Sequence, residues 1–140
     1  MYIIKKYSML VLMMVFMSSC ILEEVEPEYD VVGAIGTISN LTASSTTPTE
    51  GQTITFTVNF YSEHEAAREL RMNQLVGGTP NNITTRTFSS WNTEDSYVET
   101  FQYQVPDGSA GTTINMQFEL ITESNFTTTR TINLVVAPGS

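Results

Sequence analysis

The sequence predicts an all-β fold, a sandwich of two antiparallel sheets built from about seven strands. Three observations indicate it. Segments of alternating apolar and polar residues recur at intervals of roughly 10–15 residues, turn signals separate them, and threonine, which suits a pleated surface, is frequent after Ile35. The chain has 140 residues, of which 41% are hydrophobic, so it is long enough for one domain with a packed core.

The first two strands lie on either side of a turn at residues 48–51. Residues 35–44 form a weakly patterned first strand, and residues 52–61 form the clearest strand of the chain. A period of two implies that one face is buried and the other is wet. The apolar residues of the second strand share one face: Ile54, Phe56, Val58 and Phe60.

The two middle segments are less regular. In residues 66–76 the alternation of Glu69, Leu70, Arg71 and Met72 suits a strand that ends at Gly77-Gly78, although the alanines and Glu69 also favour a helical turn. We predict a strand here because every neighbouring segment is a strand. Residues 83–88 form a weak fourth strand.

Three strands complete the set. They span residues 97–105, which end at the turn Pro106-Asp107-Gly108, then 112–122 and 127–136, which residues 123–125 join as a hairpin. Their apolar residues alternate with polar ones, and we expect these side chains to point inward: Phe101, Tyr103, Val105, Ile114, Met116, Phe118, Leu120, Ile132, Leu134 and Val136.

The N-terminal residues have the pattern of a secretory signal. Lys5 and Lys6 precede an uncharged, mostly apolar run at residues 7–17, and Ser18, Ser19 and Cys20 follow it. A positive start, a short apolar stretch and small residues at a cleavage site define such a signal. The run is shorter than the about 20 residues that a transmembrane helix needs.

The segment Met17-Ser18-Ser19-Cys20 resembles the lipobox of bacterial lipoproteins, from which it departs only at Met17, where leucine is usual. The resemblance implies cleavage between Ser19 and Cys20 and attachment of acyl chains such as palmitate to Cys20. A single acyl chain binds a membrane only reversibly, so the two or three chains of such a lipoprotein would give a stable anchor. The alternative is an incidental cysteine near an ordinary cleavage site.

An acidic tether follows at residues 20–34. Five of its residues are acidic: Glu23, Glu24, Glu26, Glu28 and Asp30. The pair Glu23-Glu24 resembles the export signal of Bacteroidota surface lipoproteins, although Leu22 replaces the usual Lys or Gln. The resemblance implies the outer membrane and its cell-surface face, with the periplasmic face as the alternative.

The remaining residues, 35–140, resemble the immunoglobulin-like domains of bacterial surface lipoproteins, through their strand number and patterning rather than through the antibody Cys, Trp and Cys, which are missing. The predicted organisation is therefore a signal peptide at residues 1–19, a lipidated cysteine and tether at 20–34, and an immunoglobulin-like domain at 35–140.

Charge and composition argue against several functions. The formal net charge of −9 disfavours nucleic acid, and one cysteine excludes a disulfide framework within the chain. His64 is the only candidate base, and its neighbours Glu63 and Glu65 indicate a polar loop. We therefore predict no catalytic residue, no metal site and no cofactor, and we note that Glu94-Asp95 could hold only an adventitious calcium ion.

Trp91 is the candidate ligand contact, because it is the only tryptophan and lies in a polar stretch between strands. An exposed indole could anchor a partner, whereas the alternative is that Trp91 covers the open end of the sandwich as part of the core.

The function predicted from these features is a non-catalytic, lipid-anchored envelope lipoprotein that displays an immunoglobulin-like module for protein or glycan binding or for assembly. The protein would be attached to the membrane through the lipid on Cys20, and its protein or glycan partner is not specified by the sequence. The alternative is a glycan-binding accessory lipoprotein of a polysaccharide-uptake system, and a third hypothesis is an envelope enzyme or enzyme inhibitor.

Overall fold

The computed structural model describes residues 35–139, and within them it confirms the predicted all-β sandwich. The predicted signal peptide, Cys20 and the acidic tether lie outside the described residues. Residues 35–139 contain seven strands: β1 (Thr37–Ala43), β2 (Thr53–Tyr61), β3 (Ala67–Val76), β4 (Thr79–Thr87), β5 (Tyr97–Gln104), β6 (Thr113–Thr122) and β7 (Thr127–Val135).

The strands form two antiparallel sheets that face each other. One sheet has the order β1-β2-β5 and the other has the order β4-β3-β6-β7. The segment that was ambiguous in sequence is strand β3, which pairs with both β4 and β6. Pairing on both sides satisfies its backbone groups in a way that an isolated helical turn could not.

Strand β4 begins earlier than the sequence predicted, at Thr79 rather than Ile83. Gly77 and Gly78 both have positive φ angles, 59° and 81°, and make the tight two-residue turn of a hairpin in which Val76 pairs with Thr79. Pro80 is tolerated because β4 lies at the edge of its sheet, where one side of the strand needs no partner.

The core fills the space between the two sheets. Phe118 on β6 contacts two rings of the opposite sheet, with centroids 5.2 Å from Phe56 and 5.4 Å from Phe101. The largest side chains with less than 2% exposure are Phe56, Phe60, Phe101, Phe118, Ile54, Leu70, Met72, Met116, Leu120, Leu134, Val58 and Val105. The inward alternation predicted for β2, β5 and β6 is therefore confirmed.

Side chains close both open edges between the sheets. On one edge, Arg130 of β7 donates to the carbonyls of Ile38 (3.2 Å) and Ser39 (2.9 Å), next to a bulge in β1. On the other edge, Arg86 of β4 lies 3.7 Å from Glu99 of β5, and its guanidinium sits over the ring of Phe101. The β1–β7 edge is also joined by backbone hydrogen bonds, because the amides of Val135 and Ala137 donate to the carbonyls of Thr46 and Pro48 (2.8 Å each) in the segment that follows β1.

Candidate functional site

One end of the sandwich gathers the candidate residues, and we call it the Trp91 end. It comprises the β2–β3 loop (residues 62–66), the β4–β5 loop (88–96) and the β6–β7 turn (123–126). The first strand begins here too, because Thr37 pairs with Tyr61. The described part of the chain therefore begins at the Trp91 end.

Four aromatic rings form a cluster at this end. Trp91 stacks on Tyr97 with a centroid separation of 4.1 Å, and it lies 5.9 Å from Phe60 and 5.5 Å from Phe88. Phe60 is fully buried, whereas Phe88, Trp91 and Tyr97 are half-buried. We refer to these four residues as the aromatic cluster. The cluster extends the core outward and leaves part of its apolar surface in contact with solvent.

Few hydrogen bonds hold the β4–β5 loop against the rest of the domain. The indole N–H of Trp91 donates to the carbonyl of Ser62 (3.1 Å), and the amide of Asn92 donates to the hydroxyl of Tyr97 (2.7 Å). The backbone amide of Phe88 donates to the carbonyl of Arg68 on β3 (2.9 Å), and within the loop the Asn92 side chain donates to Asp95 and accepts from the amide of Glu94. The loop is thus a compact turn attached mainly through its aromatic side chains.

An acidic pocket of about 130 Å³ adjoins the β4–β5 loop. It opens to solvent between this loop and the start of the β2–β3 loop. The residues that line it are Tyr61, Glu63, Thr93, Glu94, Asp95 and Ser96. Two of its three carboxylates, Glu94 and Asp95, belong to the loop that carries Trp91, and the third, Glu63, belongs to the β2–β3 loop.

Glu65 links two of the loops at this end. Its carboxylate accepts a hydrogen bond from the Ser124 hydroxyl, while the Ser62 hydroxyl donates to its backbone carbonyl. The bond from Ser124 is the main cause that holds the pKa of Glu65 below its usual value, against a smaller opposing effect of burial. The Glu65 carboxylate is therefore engaged in a hydrogen bond that joins the β2–β3 loop to the β6–β7 turn.

The residues that the sequence analysis considered as functional residues lie in different surroundings. Trp91 is half-buried in the aromatic cluster, and His64 is an exposed loop residue between Glu63 and Glu65. Ser19 and Cys20 lie outside the described residues. Within residues 35–139 the structure places no group of three or more His, Cys, Asp or Glu side chains where they could hold a metal ion.

Sequence reasoning did not identify the partners of Trp91. Phe88 and Tyr97 come from the ends of β4 and β5, which belong to different sheets. Because the β4–β5 connection crosses from one sheet to the other, it brings both rings to one indole. One feature of the sequence could have indicated these partners: an aromatic residue lies at each end of the loop that contains Trp91.

A second pocket, of about 380 Å³, lies at the opposite end of the sandwich. Its lining is formed by Thr49, Glu50, Ala110, Ala137, Pro138 and Gly139. The carboxylate of Glu50 accepts a hydrogen bond from the amide of Ala110 (2.8 Å), so its main polar group is already engaged.

Neither a family model nor a curated protein matches the sequence. Among solved structures, the fold is similar to that of a Niemann-Pick type C2 protein from the Japanese carpenter ant, with a TM-score of 0.54 and 9% identity. The similarity covers 76% of this chain and 95% of the ant protein. It shows a shared immunoglobulin-like sandwich fold. No helix in the described part of the chain is long and apolar enough to cross a membrane.

This similarity corrects the function predicted from sequence. The structure that the fold resembles is a Niemann-Pick type C2 protein and not a surface lipoprotein with a protein-binding or glycan-binding module. The predicted display module and the glycan-binding accessory alternative are therefore contradicted. The physical reason is that strand number and alternation specify a sandwich, and sandwiches of one architecture carry many unrelated functions.

Proposed function

We propose that this chain is a lipid-anchored protein of a bacterial outer membrane, of the Bacteroidota type, that carries its sandwich on the cell surface. The observation that supports the anchor is the coincidence of Lys5-Lys6, the apolar run at residues 7–17 and two serines immediately before the only cysteine, Cys20. The proposal assigns the chain no catalytic activity.

The reach of the tether supports the proposal. Ile21 to Ala34 supply about 14 residues, which at ~3.3–3.6 Å each span at most about 50 Å. The acidic residues of this segment repel one another and favour an extended chain. A tether of this reach would let the domain stand clear of lipid headgroups.

Cell fractionation tests the anchor through two matched variants. Cys20→Ala removes the thiol, whereas Ser19→Ala keeps the small residue that the lipobox pattern accepts. We expect the first variant to leave the membrane fraction and the second to remain there. If both variants stay in the membrane like the parent, the lipid anchor is wrong.

For the sandwich itself we propose that the Trp91 end binds the aliphatic chain of a small apolar or amphiphilic molecule. The observation that carries this proposal is the aromatic cluster, in which three of the four rings remain half-buried. Ile35 and Phe126 add apolar surface at the same end, and each is 45% exposed. Apolar surface gathered at one end of a domain marks binding sites more often than single scattered exposed residues do.

The packing of the core determines where such a ligand can bind. Side chains with almost no exposure fill the space between the sheets, and interiors of this density leave no room for a further chain. At the Trp91 end, by contrast, the β4–β5 loop is held by few bonds and adjoins open space. A ligand can therefore gain contact with aromatic rings here without displacing the central core.

A brominated alcohol tests this site, because bromine quenches tryptophan emission on contact and Trp91 is the only tryptophan. We expect 10-bromodecan-1-ol to quench the emission of the full chain carrying Cys20→Ala in a saturable manner. A control variant, Val135→Ser, removes an exposed apolar residue from the opposite end and is expected to leave the titration unchanged. Quenching that rises linearly, as with free N-acetyltryptophanamide, would contradict an apolar site.

A further inference from the structure

We infer that the outer face of the β1-β2-β5 sheet is a self-association surface, on which a second copy of this chain docks face to face. The observation behind it is that this face carries no charged side chain, although the domain as a whole is strongly acidic. The inference concerns the side of the sandwich and is independent of the apolar site proposed for the Trp91 end.

The outward residues of β1, β2 and β5 form what we call the neutral face. The buried residues of β2 alternate with threonine and asparagine, which point away from the core. The strand register places these outward residues beside their counterparts on both neighbouring strands. Two rows thus cross the sheet, one formed by Thr42, Thr57 and Thr100 and the next by Asn40, Asn59 and Val98.

The charges of the domain lie elsewhere. Residues 35–139 contain ten acidic and four basic residues, which give a net charge of −6. Among the residues of β1, β2 and β5 only Glu99 is charged, and it points to the edge between the sheets, where it lies 3.7 Å from Arg86. The outer face of the other sheet, by contrast, carries the ion-paired Glu69, Arg71 and Glu119. A partner that covers the neutral face therefore desolvates no charge on it.

The chemistry of the neutral face fits a second copy of itself. Two copies of an acidic domain repel each other, and this repulsion is least where the surfaces that meet carry no charge. Threonine hydroxyls and the amides of asparagine and glutamine both donate and accept hydrogen bonds, so the face is complementary to an identical face across a twofold axis. Val98, which is 61% exposed, adds apolar area beside Asn59. A basic partner would instead be drawn to the acidic loops.

The size of the neutral face determines how strong the association can be. Strand β2 has nine residues, so the face is about 30 Å long, and three strands make it about 15 Å wide. A face-to-face pair would bury about 900 Å² in total, which is below the roughly 1,200 Å² of stable interfaces and typical of weak ones. We therefore expect a reversible dimer with a dissociation constant between about 1 μM and about 1 mM.

Sedimentation velocity of the full chain carrying Cys20→Ala tests the association at concentrations that span this range. We expect the weight-average sedimentation coefficient to rise from the monomer value towards the dimer value as the concentration rises. High salt should strengthen the association, because it screens the repulsion between two acidic copies, whereas it would weaken an interface made of ion pairs.

Two double variants of equal charge locate the surface. Thr42→Glu with Gln102→Glu adds carboxylates at two exposed positions of the neutral face that do not pair directly with each other. Asn115→Glu with Thr131→Glu, the control, adds the same charge at exposed positions on the outer face of the other sheet. We expect the first variant to raise the dissociation constant at least about tenfold, because a symmetric dimer would bring like charges together, and the control to change it less than about twofold. Far-ultraviolet circular dichroism checks that both variants fold.

Two outcomes would overturn the inference. One is a parent chain that stays monomeric at the highest concentration. The other is an equal change of association in the two double variants, since association through any other part of the chain would affect both alike.

Discussion

Replacement of Trp91 tests how the aromatic cluster holds the β4–β5 loop. Two substitutions separate the contributions of the indole. Trp91→Phe keeps a ring that can stack on Tyr97 but removes the N–H that donates to the carbonyl of Ser62. Trp91→Ala removes both the hydrogen bond and the stacking.

The magnitudes follow from the burial of these groups. Ser62 is 1% exposed, so its carbonyl would lose its partner in a nearly dry position, at a cost of about 1–3 kcal/mol. The phenylalanine variant should therefore unfold with a free energy about 1–2 kcal/mol lower than the parent. Replacing a core tryptophan by alanine costs about 3–5 kcal/mol, and because Trp91 is half-buried we expect about 2–3 kcal/mol for alanine.

Urea unfolding followed by far-ultraviolet circular dichroism measures both values, since this signal does not depend on the tryptophan itself. The slope of the unfolding free energy against urea concentration should equal that of the parent, because the surface area exposed on unfolding changes little. Val135→Ala serves as the control, since Val135 is 52% exposed. An alanine variant within about 0.5 kcal/mol of the parent, the range of ordinary surface substitutions, would refute the assignment of Trp91 to the cluster.

Three further predictions concern the residues that fasten the loops and edges. Arg130→Met should lower the unfolding free energy by about 1–2 kcal/mol and speed hydrogen exchange in β1, because two β1 carbonyls lose their donor; unchanged exchange would contradict the edge contact. Gly36→Ala should destabilise by about 1–3 kcal/mol, because a Cβ there would fall 2.5 Å from Leu120 Cδ2 in the packed core, and an unchanged melting temperature would show that the core yields easily. The pKa of Glu65 is lowered in the folded state, so its ionised carboxylate stabilises the fold at pH values above the unfolded-state pKa, near 4.5. This contribution is lost as the pH falls through the folded-state pKa. Glu65→Gln should therefore lose less stability than the parent as the pH falls below that value, which melting temperatures measured across the acid range would show. Melting temperatures that fall in parallel for the variant and the parent would contradict the role of the Ser124 hydrogen bond.

The strands that the sequence predicted well are those with one buried face. In β2 the four apolar residues at alternate positions are all fully buried, because the period of the pattern matches the pleat of the strand. Strand β4 shows the opposite case. Its residues are exposed on both faces almost throughout, so they carry no alternation, and its first residues, Thr79-Pro80-Asn81-Asn82, read as a turn. Only pairing with β3 makes them a strand.

The candidate site was predictable only in part for a similar reason. Trp91 could be singled out as the one tryptophan in a polar stretch, but its surroundings depend on a connection between two sheets that local sequence does not specify. The acidic pocket likewise joins Glu63 to Glu94 and Asp95 across about 30 positions of sequence, a proximity that comes from tertiary packing. The lipid anchor at Cys20 stays a prediction from the pattern of residues 1–20 alone.

The membrane attachment on which the proposed role depends can be measured most directly by mass spectrometry of the N-terminal peptide from protein expressed in a Bacteroidota host. The proposal predicts a peptide that begins at Cys20 and carries the added mass of two or three acyl chains. A peptide that retains residues 1–19, or that contains Cys20 without added mass, would contradict it.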